Sequence, residues 1–432
     1  MSGCPGKAGI GRLSVLLLAA TALLAQIPKR LTLKEAEAIA IRNHPQVSAA
    51  QLNARAANEA VAAVRAALLP TLFGSVTAAA AADSTRIAAG VLNNPAIFNR
   101  FATGFTISQL ISDFGRTARL TDSSRLRARS LEETVETVRA DILIQVDRAY
   151  FTALRAQAVL RVAEETVSNR QLLAGRVSAL ADSKLRSGLD VSFAKVNLSE
   201  AKLLLLGAKN EIRGSFAELA TVMGSRDTQS YELADEPLPE QLSGGPEPFV
   251  TEALRARPEL ASLRAESESA LKFAEAEKSL RLPSVGAIAS AGAVPAHDER
   301  LRGRYAAVGV NVNIPVFNGH LFAARRSEAD LRAQAARQRV RDAENRIARD
   351  VQLAWLNANT AYERLAVTGE LLEQAALALD LAQSRYDLGL SSIVELSQAQ
   401  PSKTGAEITS SSARYEYQIR RAMLLYTTGA LK

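Results

Sequence analysis

The chain has 432 residues and a formal charge of +7; 47% of it is hydrophobic, yet only 5% is aromatic. So little aromatic mass excludes a conventional compact aromatic core, whereas abundant Ala, Arg, Glu and Leu suit long packed helices. The arginines are scattered through helical segments with no basic block interleaved with aromatics, so they describe solvated helix faces, and no nucleic-acid partner is expected.

Residues 1–25 read as a signal peptide. Lys7 and Arg12 form a positive n-region, Leu13 to Ala25 an apolar stretch, and Ala20-Thr21-Ala22 or the end at Ala25 a small-residue cleavage site. The apolar stretch falls well short of the ~20 residues a membrane-spanning helix needs. Cys4 is the only cysteine and precedes that stretch, so the mature chain carries neither disulfide nor thiol chemistry. Removing Lys7 and Arg12 leaves a charge of 7 − 2 = +5. No later run of about 18 apolar residues exists. A membrane crossing by the mature chain would therefore use strands.

A repeat organises the remainder. Leu31-Thr-Leu-Lys-Glu35-Ala36, followed by Asn43-His44-Pro45, is echoed by Val250-Thr-Glu252-Ala253 and Arg257-Pro258. Pro45 and Pro258 lie 213 apart, as do Leu69-Pro70 and Leu282-Pro283. Proline suits a first helical turn and breaks a helix interior, so each pair brackets a helix of equal length. The first repeat spans 26–224, a connector rich in Pro and Gly spans 225–249, and the second repeat spans 250–432.

Strand-like sequence follows each Leu-Pro. The candidates are Leu72–Ala82 and Phe101–Phe114, joined by a loop with Asn93-Asn94-Pro95, then Ser284–Ala293 and Tyr305–Phe317, joined through Pro295-Ala-His-Asp298. Each meets the roughly 9–11 residues of a tilted transmembrane strand. The fourth is the strongest. Val308, Val310, Val312, Ile314 and Val316 fall on one parity, with Ala307, Gly309, Asn311 and Asn313 on the other. That alternation fits a barrel wall with lipid outside and water inside.

After Gly115 and Gly319 the period changes to about 3.6, and the helical pattern runs on to Gly188-Leu189 and Gly389-Leu390. Such helices are on the order of 100 Å long. Val135, Val138, Ile142, Val146, Ala149 and Ala153 have coiled-coil spacing. A return helix then leads to Gly224 in one repeat and Gly429 in the other. It covers about half of the long helix, and the Pro-to-Pro helix can cover the other half.

In this order, and duplicated, these motifs resemble the TolC family of outer-membrane factors, the exit ducts of tripartite efflux pumps and type I secretion systems. The match is carried by the opening motif, both Leu-Pro ends, Ser108-Gln109-Leu110 with Asp113-Phe114-Gly115, Ile314-Pro-Val-Phe-Asn-Gly319, both Gly-Leu turns and Ala413-Arg-Tyr-Glu-Tyr417. The resemblance implies a mixed α+β membrane protein: a long α-helical coiled-coil barrel with a transmembrane β-barrel shared by a homotrimer, four strands per chain. It implies an outer-membrane location in a Gram-negative bacterium with a large periplasmic extension. It also implies contact with a periplasmic adaptor protein, and through it with an inner-membrane transporter.

The same resemblance assigns adaptor-contacting tips to Ser187, Gly188, Leu189, Leu388, Gly389 and Leu390, and a pore constriction to Glu395 and Gln398. Glu395 keeps a carboxylate there; Gln398 does not. Ser392-Ile-Val-Glu395 also has capping-box spacing. Counting from the Gly-Leu turns puts Ala194 opposite Glu395, which makes an acidic ring one-sided, and leaves Asp190 as a helix cap. Pro401 lies inside the second return helix, where a kink is expected. His44, His297 and His320 lack companions at ligand spacing, so no metal site is expected. No phosphate loop or nucleophile elbow occurs, so neither a cofactor nor an enzyme is expected. The alternative is a periplasmic coiled-coil scaffold or adaptor without a membrane barrel, which needs no strands.

Overall fold

The computed structural model describes residues 30–82, 98–226, 231–299 and 301–431. The expected signal peptide and the Asn93-Asn94-Pro95 loop lie outside these residues. In chain order the elements are β1 (Arg30–Leu31), α1 (Leu33–Asn43), α2 (Pro45–Arg65), β2 (Thr71–Ala79), β3 (Arg100–Ser112), α3 (Arg116–Asp182) and α4 (Gly188–Val222). There follow β4 (Glu232–Leu233), α5 (Glu247–Ala256), α6 (Pro258–Lys278), β5 (Ser284–His297), β6 (Arg304–Asn313), α7 (Leu321–Asp387) and α8 (Ile393–Thr428).

The duplication is plain in these lengths. Helices α2 and α6 are each 21 residues long, α3 and α7 each 67, and α4 and α8 are 35 and 36. Helix α1 escapes proline-based reading. It starts at a capping box in which Thr32 Oγ1 accepts from the Glu35 amide and Glu35 accepts from the Thr32 amide.

The chain divides into two compact units that cut across its order, one formed by 46–138 and 254–349, the other by 1–45, 139–253 and 350–432. In the first, β2-β3-β5-β6 make one antiparallel sheet. Directly opposed residues share a face. One face carries Leu72, Ile107, Ala289 and Val308 in one row, and Phe105, Ala291 and Ala306 in the next. Val310 opposite Ala287 and Val312 opposite Val285 continue it. The other, more polar face carries Thr71, Ser108 and Ile288 in one row, Phe73, Thr106 and Ser290 in another, and Asn313 opposite Ser284. Gln109 stands on the apolar face, but its amide nitrogen donates to the carbonyls of Leu68 (2.7 Å) and Leu110 (2.9 Å). On the polar face Tyr305 lies against Gly104 and Gly292, where any Cβ would run into its ring or hydroxyl.

Two expectations for the strands need correction. Strand β6 ends at Asn313, so Ile314 and Val316 are not strand residues. Its partner β5 begins at Ser284, directly after Pro283, and Pro315 has no amide hydrogen to offer, so the ladder is closed by proline on both sides. Strand β5 instead runs on through Pro295 to His297. The register shift against β3 between Phe101 and Thr103 gives that proline an unpaired place.

Helices α2, α6 and the sheet-proximal parts of α3 and α7 pack below the sheet through small residues. Ser123 and Ser269 exchange hydroxyl-to-carbonyl bonds at 2.9 and 2.7 Å across α3 and α6, and Ser262 donates one to the Ser130 carbonyl at 2.8 Å. Ala274, Ala329 and Ala333 are buried together between α6 and α7. Where β3 turns into α3, Asp113 accepts from the amides of Gly115 (3.1 Å) and Thr117 (2.7 Å). Beneath it the Glu277 carboxylate, 1% exposed, takes Arg325 Nε at 2.9 Å and Arg116 at 3.4 Å. Removing a buried acid between two cations leaves them unneutralised, but both arginines are partly exposed and can rehydrate. We expect Glu277→Ala to destabilise this unit by about 2 kcal/mol, read as a lower thermal midpoint with an unchanged circular-dichroism spectrum.

Candidate functional site

The second unit contains the two helical hairpin turns and a waist. At the waist β1 and β4 pair in parallel, and the buried Tyr150 hydroxyl sits between the carbonyls of Leu31 (2.9 Å) and Ala234 (2.7 Å). The connector is strapped to α8: Tyr417 donates to the Glu240 carbonyl (2.7 Å), Gln418 to the Glu236 carbonyl (3.1 Å), and Arg414 pairs with Asp235 (2.9 Å). Asp147, buried on α3, faces Glu37 of α1, with Lys34, Glu236 and Tyr150 close by. Burial and the Glu37 charge push the Asp147 carboxyl up to about 8, so it holds a proton and donates it to Glu37.

The second turn holds Leu388, Gly389 and Leu390 of the positions the sequence marked as tips; the first ends at Ser187, and Gly188 and Leu189 already belong to α4. Both long helices end in the same motif. After α3, the amides of Leu185 and Lys184 bond to the carbonyls of Leu180 (2.9 Å) and Ala181 (2.9 Å); after α7, Leu390 and Gly389 bond to Arg385 (2.8 Å) and Tyr386 (3.0 Å). The residue with left-handed backbone is therefore Gly389 in the second turn but Lys184 in the first (φ 74° and 58°). This corrects the pairing of Gly188 with Gly389. Gly188 is the first residue of α4, and Ser187 is its N-cap.

The corrected register is an offset of 205, from Asp182 to Asp387. It places Asp190, not Ala194, opposite Glu395. Ala194 is buried in the apolar cluster with Val177, Tyr386, Ile393 and Leu396. Asp190 completes a capping box, accepting from the Ser187 amide at 3.1 Å while Ser187 Oγ accepts from the Asp190 amide at 3.2 Å. Ser392 makes no such bond, and Glu395 instead pairs with Arg385 at 3.5 Å. Equal spacing thus yields a cap in one turn and an exposed ion pair in the other. Gln398 is exposed on α8, and Pro401 lies inside that helix, which is assigned as continuous from Ile393 to Thr428.

Leu189, Leu388 and Leu390 are exposed at 63%, 75% and 68%. Sequence reading missed Leu185, the true counterpart of Leu390 and equally exposed at 70%. It also missed Arg186, which donates to the Tyr386 carbonyl (2.6 Å) and lies 4.2 Å over the Tyr386 ring, so tying the two turns together. No periodic signal marks an arginine of this kind. His44 caps α1, and His297 and His320 lie in the sheet unit; among the described residues no group of three or more His, Cys, Asp or Glu forms a metal site.

Paired helices with two hairpin turns, joined to an open four-stranded sheet with one apolar face, define a class of membrane channel subunit. The chain belongs to the outer membrane efflux protein family, whose model matches residues 38–225 and 249–430. It is 24% identical over 425 residues to the outer membrane efflux protein BepC of Brucella suis, covering 97% of this chain and 90% of that protein. It is 23% identical over 408 residues to the outer membrane protein TolC of Vibrio cholerae, covering 90% and 88%. Its fold matches the crystal structure of CusC with a TM-score of 0.79 at 19% identity, covering 92% of each chain.

Two outcomes follow. The raised Asp147 carboxyl contributes stability that is complete below pH about 4 and is lost as pH rises through about 8. We expect the thermal midpoint to fall across that window, and the Asp147→Asn variant to flatten the fall. Ser187→Ala removes a formed cap and costs about 1 kcal/mol, whereas Ser392→Ala is near neutral; hydrogen exchange at the first turns of α4 and α8 separates the two.

Proposed function

We propose that the chain is one protomer of a trimeric outer-membrane duct, a passive conduit from the periplasm and an inner-membrane pump to the exterior. The observation that carries this is the sheet: one face largely apolar, the other mixed, with Thr71, Ser108 and Asn313 beside Phe73 and Ile288, and, among the described residues, unpaired edges at β2 and β6. Hydrocarbon tolerates strands only in closed barrels, because every backbone group must be paired. Four strands cannot close, whereas three copies pool twelve. Val308, Val310 and Val312 then face lipid, and Ile314 and Val316 extend the apolar surface below the ladder. The two repeats, 26–224 and 250–432 joined by 225–249, supply the periplasmic helices.

In this reading the hairpin ends, with Ser187, Gly188 and Leu189 at the start of α4 and Leu388, Gly389 and Leu390 in the second turn, meet a periplasmic adaptor protein, and the transporter is engaged only through it. The exposed leucines provide the apolar contact. Glu395 and Gln398 line a constriction, with Asp190 as the acidic counterpart in the first turn. The Arg385 partner of Glu395 and the cap formed by Asp190 temper the negative charge of such a ring. No catalytic step is assigned, and energy for transport comes from the partners. BepC and CusC are named for efflux and cation efflux respectively, a difference that leaves the cargo of this chain unassigned.

Electron microscopy of the detergent-extracted protein tests the duct. A three-fold tube with a barrel at one end is expected; a water-soluble monomer would instead favour the coiled-coil scaffold. In membranes, Val310→Arg on the apolar face is expected to lower barrel stability by about 2–4 kcal/mol. Asn311→Arg, one residue along on the polar face, leaves assembly intact, as heat-stable trimer on gels would report.

A further inference from the structure

The two strand-to-helix junctions are built differently. The first spans only 113–115 and is closed by the Asp113 cap. The second spans 314–320, four residues more, and presents Ile314, Val316 and Phe317 at 60%, 91% and 82% exposure. Beside it opens a cleft of about 680 Å³ lined by Arg281, Val316, Phe317, His320, Arg326 and Asp330 among others. Gly319 and His320 both take left-handed backbone, and the His320 ring stands edge-on to Phe317 at 6.1 Å. The charge in the cleft is unbalanced. Asp330 is shared between Arg326 (3.7 Å) and Lys278 (3.6 Å), and no described residue bonds to or pairs with Arg281. A neighbouring cleft repeats Arg281 and Arg326 and adds Arg119 and Lys278 against one acid, Glu275.

We propose that this cleft seats the headgroup of a glycerophospholipid. Arg281 and Arg326 hold the phosphate, and Val316 and Phe317 lie against the start of the acyl chains. The inference rests on the outer-membrane reading above, which puts the lower end of the β5–β6 ladder at the periplasmic lipid surface. Its position carries the argument: the exposed apolar side chains continue directly from the valine face of β6, and the cations begin where that face ends. Apolar surface next to unneutralised arginine suits the boundary between acyl chains and phosphates, where long cationic side chains reach the headgroups while their stems stay on apolar surface. The first junction also exposes a phenyl ring, Phe114 at 51%, so the difference lies in the extra length and in Ile314 and Val316, which a join of strand to helix alone would not need.

The test uses the full-length protein reconstituted in phospholipid vesicles. The sole tryptophan, Trp355, is replaced by Phe, and Phe317→Trp supplies a fluorescent reporter. Phospholipids brominated near the headgroup end of the acyl chain are expected to quench it. Native mass spectrometry of the detergent-extracted trimer is expected to retain one phospholipid per chain, and the Arg281→Ala/Arg326→Ala variant to lose it. The proposal is overturned by an unquenched reporter in an inserted trimer, which would mean that a neighbouring subunit fills the cleft, or by equal lipid retention in the double variant. Quenching needs no arginine substitution, so it decides the matter even where the double variant fails to assemble. Failure to insert into vesicles at all would count against the membrane reading itself.

Discussion

An open sheet edge in hydrocarbon is the constraint on which this structure depends. Beyond the two edges of β2-β3-β5-β6, no further strand of the described residues is available to pair them. Water would satisfy those backbone groups; lipid cannot. In the proposed duct each edge is completed by the opposite edge of the next copy, β2 against β6, and oligomerisation becomes a condition of folding in the membrane. The apolar face and the exposed long helices fit the proposed protomer of a trimer.

Below the sheet the problem changes from backbone satisfaction to close approach. Alanine and serine let helix backbones come near enough for hydroxyl-to-carbonyl bonds, reciprocal at Ser123–Ser269 and one-way from Ser262 to Ser130. Large side chains are kept for places where elements must be fixed, such as Tyr150 between β1 and β4 or Tyr417 under the connector. The low aromatic content is a consequence of this division. Polar pins take over at the waist, where a protonated Asp147 lies beside Glu37.

Much of the architecture was legible in the sequence because proline and period punctuate it. Pro45, Pro258, Pro70 and Pro283 bracket helices of equal length, and valine parity gave the apolar face of β6. What was not legible has physical causes. The Gly-Leu turns look equivalent, but a lysine takes the left-handed position in the first turn, so aligning glycine with glycine displaced the register and paired Glu395 with Ala194 instead of Asp190. Ser392 and Glu395 have cap spacing without a cap, since Arg385 competes for the carboxylate. Ile314 and Val316 kept the parity of a strand after Pro315 had ended it. Arg186 and Leu185 carried no periodic signal at all.

The prolines that close the β5–β6 ladder have a consequence for how this sequence can change. Side chains alternate faces with a period of two, and Pro283 and Pro315 bound the lower end of the pairing. Losing one residue between Asn311 and Pro315 would carry Val308 to the polar face and Asn311 to the apolar one, inverting every row beyond the deletion. Losing two would shorten the wall but keep its polarity. Along this strand, drift by insertion or deletion keeps the wall's parity only in even steps, unless a bulge like those against β3 absorbs the odd residue.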